Sequence, residues 1–118
     1  MPARSHTPDL LSAVAERFKV LSEPARLRVL DALRAGPLHV SALIDATGLN
    51  QANLSRHLQV LHTHGFVSRR RDGLFAYYAI ADESVFRLCD LMCGHLERSA
   101  AERLTSFKDR GARFRRTG

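Results

Sequence analysis

The sequence predicts a mainly α-helical domain carrying one small β-hairpin, in the order ααααββα. Three observations carry that expectation. Apolar residues recur at three- and four-residue steps through most of the chain, the period switches to two around Asp72-Gly73, and Pro24, Gly36-Pro37, Gly48 and Gly65 cut the helical stretches apart. With 118 residues there is room for one core, because a second usually forms only beyond about 100 to 150 residues.

Taken in order, Asp9 is placed to cap a first helix with the stripe Leu10, Leu11, Val14, Ala15, Phe18 and Leu21, broken at Ser22-Glu23-Pro24. Pro24 suits the first turn of a second helix, with Leu27, Leu30 and Leu33 inward and Ala35-Gly36-Pro37 as its stop. A short third helix shows Val40, Leu43 and Ile44 to the core and ends at Gly48. Asn50 then caps a fourth, with Leu54, Leu58 and Leu61 inward and Gly65 at its end. Phe66 to Arg71 and Leu74 to Ile80 flank Asp72-Gly73, the signature of a two-residue hairpin turn. Asp82 is placed to cap a last, long helix with the stripe Val85, Leu88, Cys89, Met92, Leu96, Ala100, Leu104 and Phe107. The expected organisation is a flexible N-terminus over 1–8, one domain over 9–108 and a basic tail over 109–118.

Composition bounds the function. Lys and Arg number 18 against 12 Asp and Glu, a formal charge of +6, and sixteen of the eighteen cations are arginine. Cations that neutralise phosphates release condensed counterions, and arginine's planar fork suits phosphates and guanine edges, so a polyanionic partner is expected. No run approaches the roughly 18 apolar residues that span a bilayer. MPARSHTPD lacks the apolar stretch of a secretory signal, which makes cytoplasmic placement the expectation and membrane partners unexpected. There is no phosphate-cradling glycine loop, no two-histidine zinc motif with a glutamate and no nucleophile elbow, so the chain does not read as an enzyme.

The third and fourth helices, joined through Gly48-Leu49-Asn50, make a helix-turn-helix whose second helix enters a DNA major groove, and the hairpin supplies a wing. While Leu54, Leu58 and Leu61 face the core, the other side of the fourth helix offers Gln51, Ala52, Asn53, Ser55, Arg56 and Gln59. Glutamine can pair bidentately with adenine, arginine with guanine, and alanine can touch a thymine methyl. Arg69, Arg70, Arg71 and Tyr77 on the hairpin are placed for flanking phosphates or the minor groove. Adjacent strand residues alternate faces, so at least one of these arginines should turn toward the body of the protein. Among the histidines, His57 is expected behind the recognition face, His62 and His64 do not face one another, and His39 stands where a Ser or Thr cap is usual.

The stretch KVLSEPARLRVLDALRAGPLHVSALIDATGLNQANLSRHLQVLHTHGFVSRRRDGLFAYYAIAD resembles, in order, spacing and loop chemistry, the arsenic-repressor-like (ArsR/SmtB) family of bacterial winged-helix regulators, over about Leu10 to Phe107. The resemblance implies a winged helix-turn-helix homodimer joined through its first and last helices, repressing transcription from a pseudo-palindromic double-stranded DNA operator. It places the family's usual DNA contacts on Gln51, Ala52, Ser55 and Arg56. A dimer also suits the last helix, whose apolar stripe continues past what a four-helix core could cover.

Members of that family typically release DNA when a metal ion or an oxidant binds. The cysteine pair that the resemblance would put on the third helix is absent from His39-Val40-Ser41-Ala42-Leu43. Of the zinc pattern on the last helix only Asp82 and His95 remain, with Ser84 and Arg98 at the other two positions; an arginine cation opposes Zn²⁺. What is left is Cys89-x-x-x-Cys93, whose spacing puts both sulfurs on one helix face. Thiolates favour soft ions such as arsenite, cadmium or lead, with a third ligand from His95 or the other subunit. An oxidant or reactive sulfur species acting on the thiols is a second reading. A third is a repressor that senses nothing, its cysteines only core residues.

Overall fold

The computed structural model of the chain describes residues 7–117, with side chains described through residue 105. Two compact units divide at Asp82 and Glu83. The first holds α1 (Pro8–Leu21), α2 (Pro24–Ala32), a 3-10 turn (Leu33–Ala35), β1 (Leu38–His39), α3 (Val40–Thr47), α4 (Gln51–Thr63), β2 (Val67–Asp72) and β3 (Phe75–Ile80). The second holds α5 (Ser84–Thr117).

The expected elements are present, with local corrections. The cap of α1 is Thr7, not Asp9: the Thr7 hydroxyl accepts from the Leu10 amide at 3.2 Å. Asp9 sits in the first turn, where a negative charge suits the positive end of the helix. Of the expected 1–8 segment, Thr7 and Pro8 therefore belong to the helix start and the rest lies outside the described residues. Val20 is buried, whereas Leu10, Leu11, Val14 and Phe18 are 39% to 56% exposed, so the core of the first unit leaves the predicted α1 stripe uncovered.

In α2, Leu30 and Leu33 are buried as expected, but Leu27 is exposed and Val29 takes its place. Three residues at successive three-residue steps drift about 60° per step around a helix, too far for all to share one narrow face. Leu43 of α3, Leu54, Leu58 and Leu61 of α4, and Phe66 and Val67 complete this core. Each such leucine contributes about 1.5–3 kcal/mol through burial.

The sheet has three strands, not two, in the order β1-β3-β2, all antiparallel. The added β1 pairs Leu38 with Tyr78 and His39 with Tyr77. Along the hairpin Asp72 pairs with Phe75, which moves the turn by one residue to Gly73-Leu74. Gly73 has φ +63° and no described non-glycine residue has a positive φ, so this is a turn with glycine first, the hand that matches strand twist.

α5 begins at Ser84, two residues after Asp82, whose Oδ2 pairs with Arg17. Helical backbone continues to Thr117, with no break in secondary structure at the expected 108/109 boundary; the expected stripe residue Phe107 lies beyond the described side chains. On α5, Leu88, Met92, Leu96 and Leu104 are all exposed. Among the described residues no helix is long and apolar enough to cross a membrane.

Candidate nucleic-acid interface

The turn between α3 and α4 is built from three small devices. Thr47 is buried, donates its hydroxyl to the Leu43 carbonyl at 2.6 Å and accepts from the Leu49 amide at 3.3 Å. Gly48 takes the left-handed conformation with φ +73° that ends α3. Asn50 then opens α4, its Oδ1 accepting from the Asn53 amide at 2.8 Å. Gly48 and Asn50 are the expected residues; Thr47 carried no periodic signal. At the other end of α3, His39 does cap the helix, its Nδ1 accepting from the Ala42 amide at 3.1 Å.

α4 shows two contrasting faces. Leu54, His57, Leu58 and Leu61 are buried, while Gln51, Ala52, Asn53, Ser55, Arg56 and Gln59 are all exposed. Behind the exposed ridge, Arg26 donates from Nε to His57 Nδ1 at 3.3 Å and from Nη1 to the Val20 carbonyl at 3.2 Å. Burial holds the His57 imidazole below its ordinary pKa, and the cations Arg56 and Arg26 add to that against a small opposing effect of Glu23.

Arg69, Arg70 and Arg71 are all exposed, since only Val67 of the β2 edge strand is buried. Register sorts them by face. Arg69 opposes Tyr78 and Arg71 opposes Ala76, while Arg70 opposes Tyr77 on the reverse side. Arg69 is the arginine turned toward the body, lining a depression with Ser55, Gln59 and His62 of α4 and with Tyr78. Tyr77 instead stacks on His39, ring centres 5.7 Å apart at 21°, and His39 also meets Phe75 at 5.5 Å. The structure thus brings Ser55, Gln59 and Arg69 together and sets Tyr77 apart from them. His62 and Tyr78 were not among the sequence candidates; their steps from Gln59 along α4 and from Arg69 across the hairpin were the available signal.

Arg17 ties α1 to the far end of α4 and the end of the sheet. It donates to the His64 carbonyl at 2.8 Å and to Asp82 Oδ2 at 2.6 Å, and its guanidinium lies 4.2 Å from the centre of the Phe66 ring. Asp82, half of the residual zinc pattern, is therefore held by a cation. On α5, Cys89 is half-buried and Cys93 exposed. His95 stands two residues beyond Cys93, about 200° around the helix, so one chain does not gather the expected set Cys89, Cys93 and His95. Among the described residues no group of three or more His, Cys, Asp or Glu side chains is placed to hold a metal ion.

The family model described as bacterial regulatory protein, arsR family, matches residues 23–69. The HTH-type transcriptional regulator Rv0324 of Mycobacterium tuberculosis is 43% identical over 83 residues, which are 70% of this chain; the chain spans only 37% of that relative's length. The homodimeric winged helix-turn-helix DNA-binding domain of Mb0332 from Mycobacterium bovis, a possible ArsR-family transcriptional regulator, is 38% identical with a TM-score of 0.71, over 85% of this chain and 94% of that one. The AntR antimony-specific transcriptional repressor is 31% identical with a TM-score of 0.75, over 86% and 92%. Helix order, the sheet behind the helix-turn-helix, the family model and the two structural matches across the greater part of both compared chains agree: the chain belongs to the arsR family of bacterial regulatory proteins.

Proposed function

We propose that the protein is a cytoplasmic transcriptional repressor, with no enzymatic activity, that binds a pseudo-palindromic operator as a homodimer. The observation that carries this is the exposed polar ridge Gln51, Ala52, Asn53, Ser55, Arg56 and Gln59 on a helix whose other face is buried, with three exposed arginines on the adjoining hairpin. Ridge and arginines divide the work of base reading and backbone anchoring. The apolar stripes left exposed on α1 and on α5 support a second copy as their cover. Residues 109–118 add a basic tail to the 9–108 domain.

The finer reading concerns release. Cys89 and Cys93 offer two thiols one helical turn apart, enough for a soft metal or metalloid ion such as arsenite, cadmium or lead if the second subunit supplies further ligands, and enough for an oxidant or reactive sulfur species. That AntR is antimony-specific favours a signal over a repressor that senses nothing.

Selection from a random duplex library, followed by fluorescence anisotropy of the enriched sequences, tests the first reading. An inverted repeat with half-sites about 34 Å apart, or a multiple of that, is expected. A library that enriches nothing overturns it. For release, operator affinity is measured with arsenite, cadmium, lead, zinc, peroxide and polysulfide. Loss of the response in the Cys89→Ser, Cys93→Ser double variant supports the thiol site, whereas unchanged affinity with every agent leaves the ligand-independent repressor.

A further inference from the structure

The depression between α4 and the hairpin has a distinctive lining. Ser55, Leu58, Gln59 and His62 line one side, Arg69 and Tyr78 the other. Residues 55, 59 and 62 follow steps of four and three and so stand on one flank of α4. Arg69 and Tyr78 are directly opposed across β2 and β3, so both project from the same face of the sheet. Every polar side chain here can donate: a guanidinium fork, a phenol, a hydroxyl, an amide NH₂, and an imidazole that keeps an N–H in either tautomer. Among the described residues no carboxylate lines it, and Leu58 gives it an apolar floor that strengthens the field of the arginine.

Resting on the reading of α4 as the DNA-facing helix, we propose that this depression seats one backbone phosphate of each operator half-site. Arg69 supplies the charge, and His62 and Tyr78 donate to the phosphodiester oxygens. Ser55 and Gln59 belong both to the outward ridge and to the lining, so the depression continues the ridge sideways. A strand whose base edges meet Gln51, Ala52 and Arg56 passes over it. Gln59 is then a backbone contact, and two residues absent from the ridge, His62 and Tyr78, join the interface.

The test uses the full-length protein and an operator obtained by selection. Each phosphate of one half-site is replaced in turn by a neutral methylphosphonate, and affinity is measured for the wild type, His62→Ala and Tyr78→Phe. Both variants should weaken binding to the unmodified duplex by roughly three- to tenfold. At one phosphate per half-site the wild type should lose clearly more affinity than either variant, because each variant has already lost one donor to that phosphate while Arg69 remains. Tyr78→Phe keeps the ring, so a matched thermal midpoint shows that packing is intact. Losses that multiply at every phosphate overturn the seat even though the operator is bound, whereas failure to select any operator overturns the reading beneath it as well. Titration of DNA-free protein with inorganic phosphate at constant ionic strength separates the source. Saturable binding there without coupling on the duplex means a small-anion site and also sinks the proposal.

Discussion

Arg17 and Asp82, 65 residues apart in sequence, meet at 2.6 Å, and the same guanidinium also donates to the His64 carbonyl and lies over the Phe66 ring. One side chain thus gathers the end of α4, the start of β2 and the end of the first unit. The two partners are unequal in what they lose. Their side chains are 42% and 31% exposed, so the ion pair is screened by solvent. Arg17→Ala removes three contacts and should cost about 1–2 kcal/mol, while Asp82→Asn, which leaves two of them, should cost under about 1 kcal/mol. Urea unfolding midpoints check this, and equal losses would mean that the ion pair carries the joint alone.

His57 makes stability depend on pH. Its folded pKa lies below the unfolded value, because burial and the cations Arg56 and Arg26 disfavour the imidazolium. Above the unfolded pKa both states are neutral and the contribution is complete. As pH falls below about 6.5 the unfolded chain takes up a proton that the folded one resists, so stability drops, by at most about 1.4 kcal/mol per pH unit, until the folded pKa is passed. Unfolding midpoints at pH 7.5, 6.5 and 5.5 should fall in that order. His57→Asn offers Arg26 an oxygen in place of Nδ1 and should flatten this part of the profile; an unchanged profile would remove His57 as its source.

His39 serves α3 and the sheet at once, as a cap through Nδ1 and as a ring stacked on Tyr77. His39→Ala should cost about 1 kcal/mol or more, since cap and stack both go. His39→Ser restores a capping oxygen but not the ring and should recover part of that loss. Thermal melts of the two variants separate the roles, and identical midpoints would assign the whole effect to stacking.

On the DNA side, Arg56→Ala should relax base preference by about 1–3 kcal/mol at one position of each half-site. Arg70→Ala should instead weaken operator and random duplex alike and lower the salt slope by about one. Anisotropy titrations on both duplexes at several salt concentrations decide the matter. Equal losses on both for Arg56→Ala would place that residue on the backbone.

Much of the fold was legible because local chemistry and tertiary packing agree in it. Leu54, Leu58 and Leu61, Gly48 and Asn50 each perform the role that spacing or backbone preference assigns them. The differences arise where two residues compete for one role or where the chain closes on distant partners. Thr7 and Asp9 can both cap α1, and Thr7 wins. Asp72-Gly73 and Gly73-Leu74 both make acceptable turns, and pairing of Asp72 with Phe75 selects the second. β1 is only Leu38–His39, too short for any periodicity, and exists because β3 offers an edge. The site divides similarly. The α4 ridge follows from helical spacing, but that Tyr78 and not Tyr77 faces it depends on hairpin register, which a one-residue slip reverses.

The leucines and the phenylalanine left open to water along α1 carry a consequence for dosage. If a second copy is what shields them, folding and pairing become one equilibrium, and the melting temperature climbs with protein concentration instead of staying fixed. Newly made subunits would then be at their most fragile when scarce, so a cell diluting this regulator would shed its control of the promoter more abruptly than simple loss of occupancy predicts.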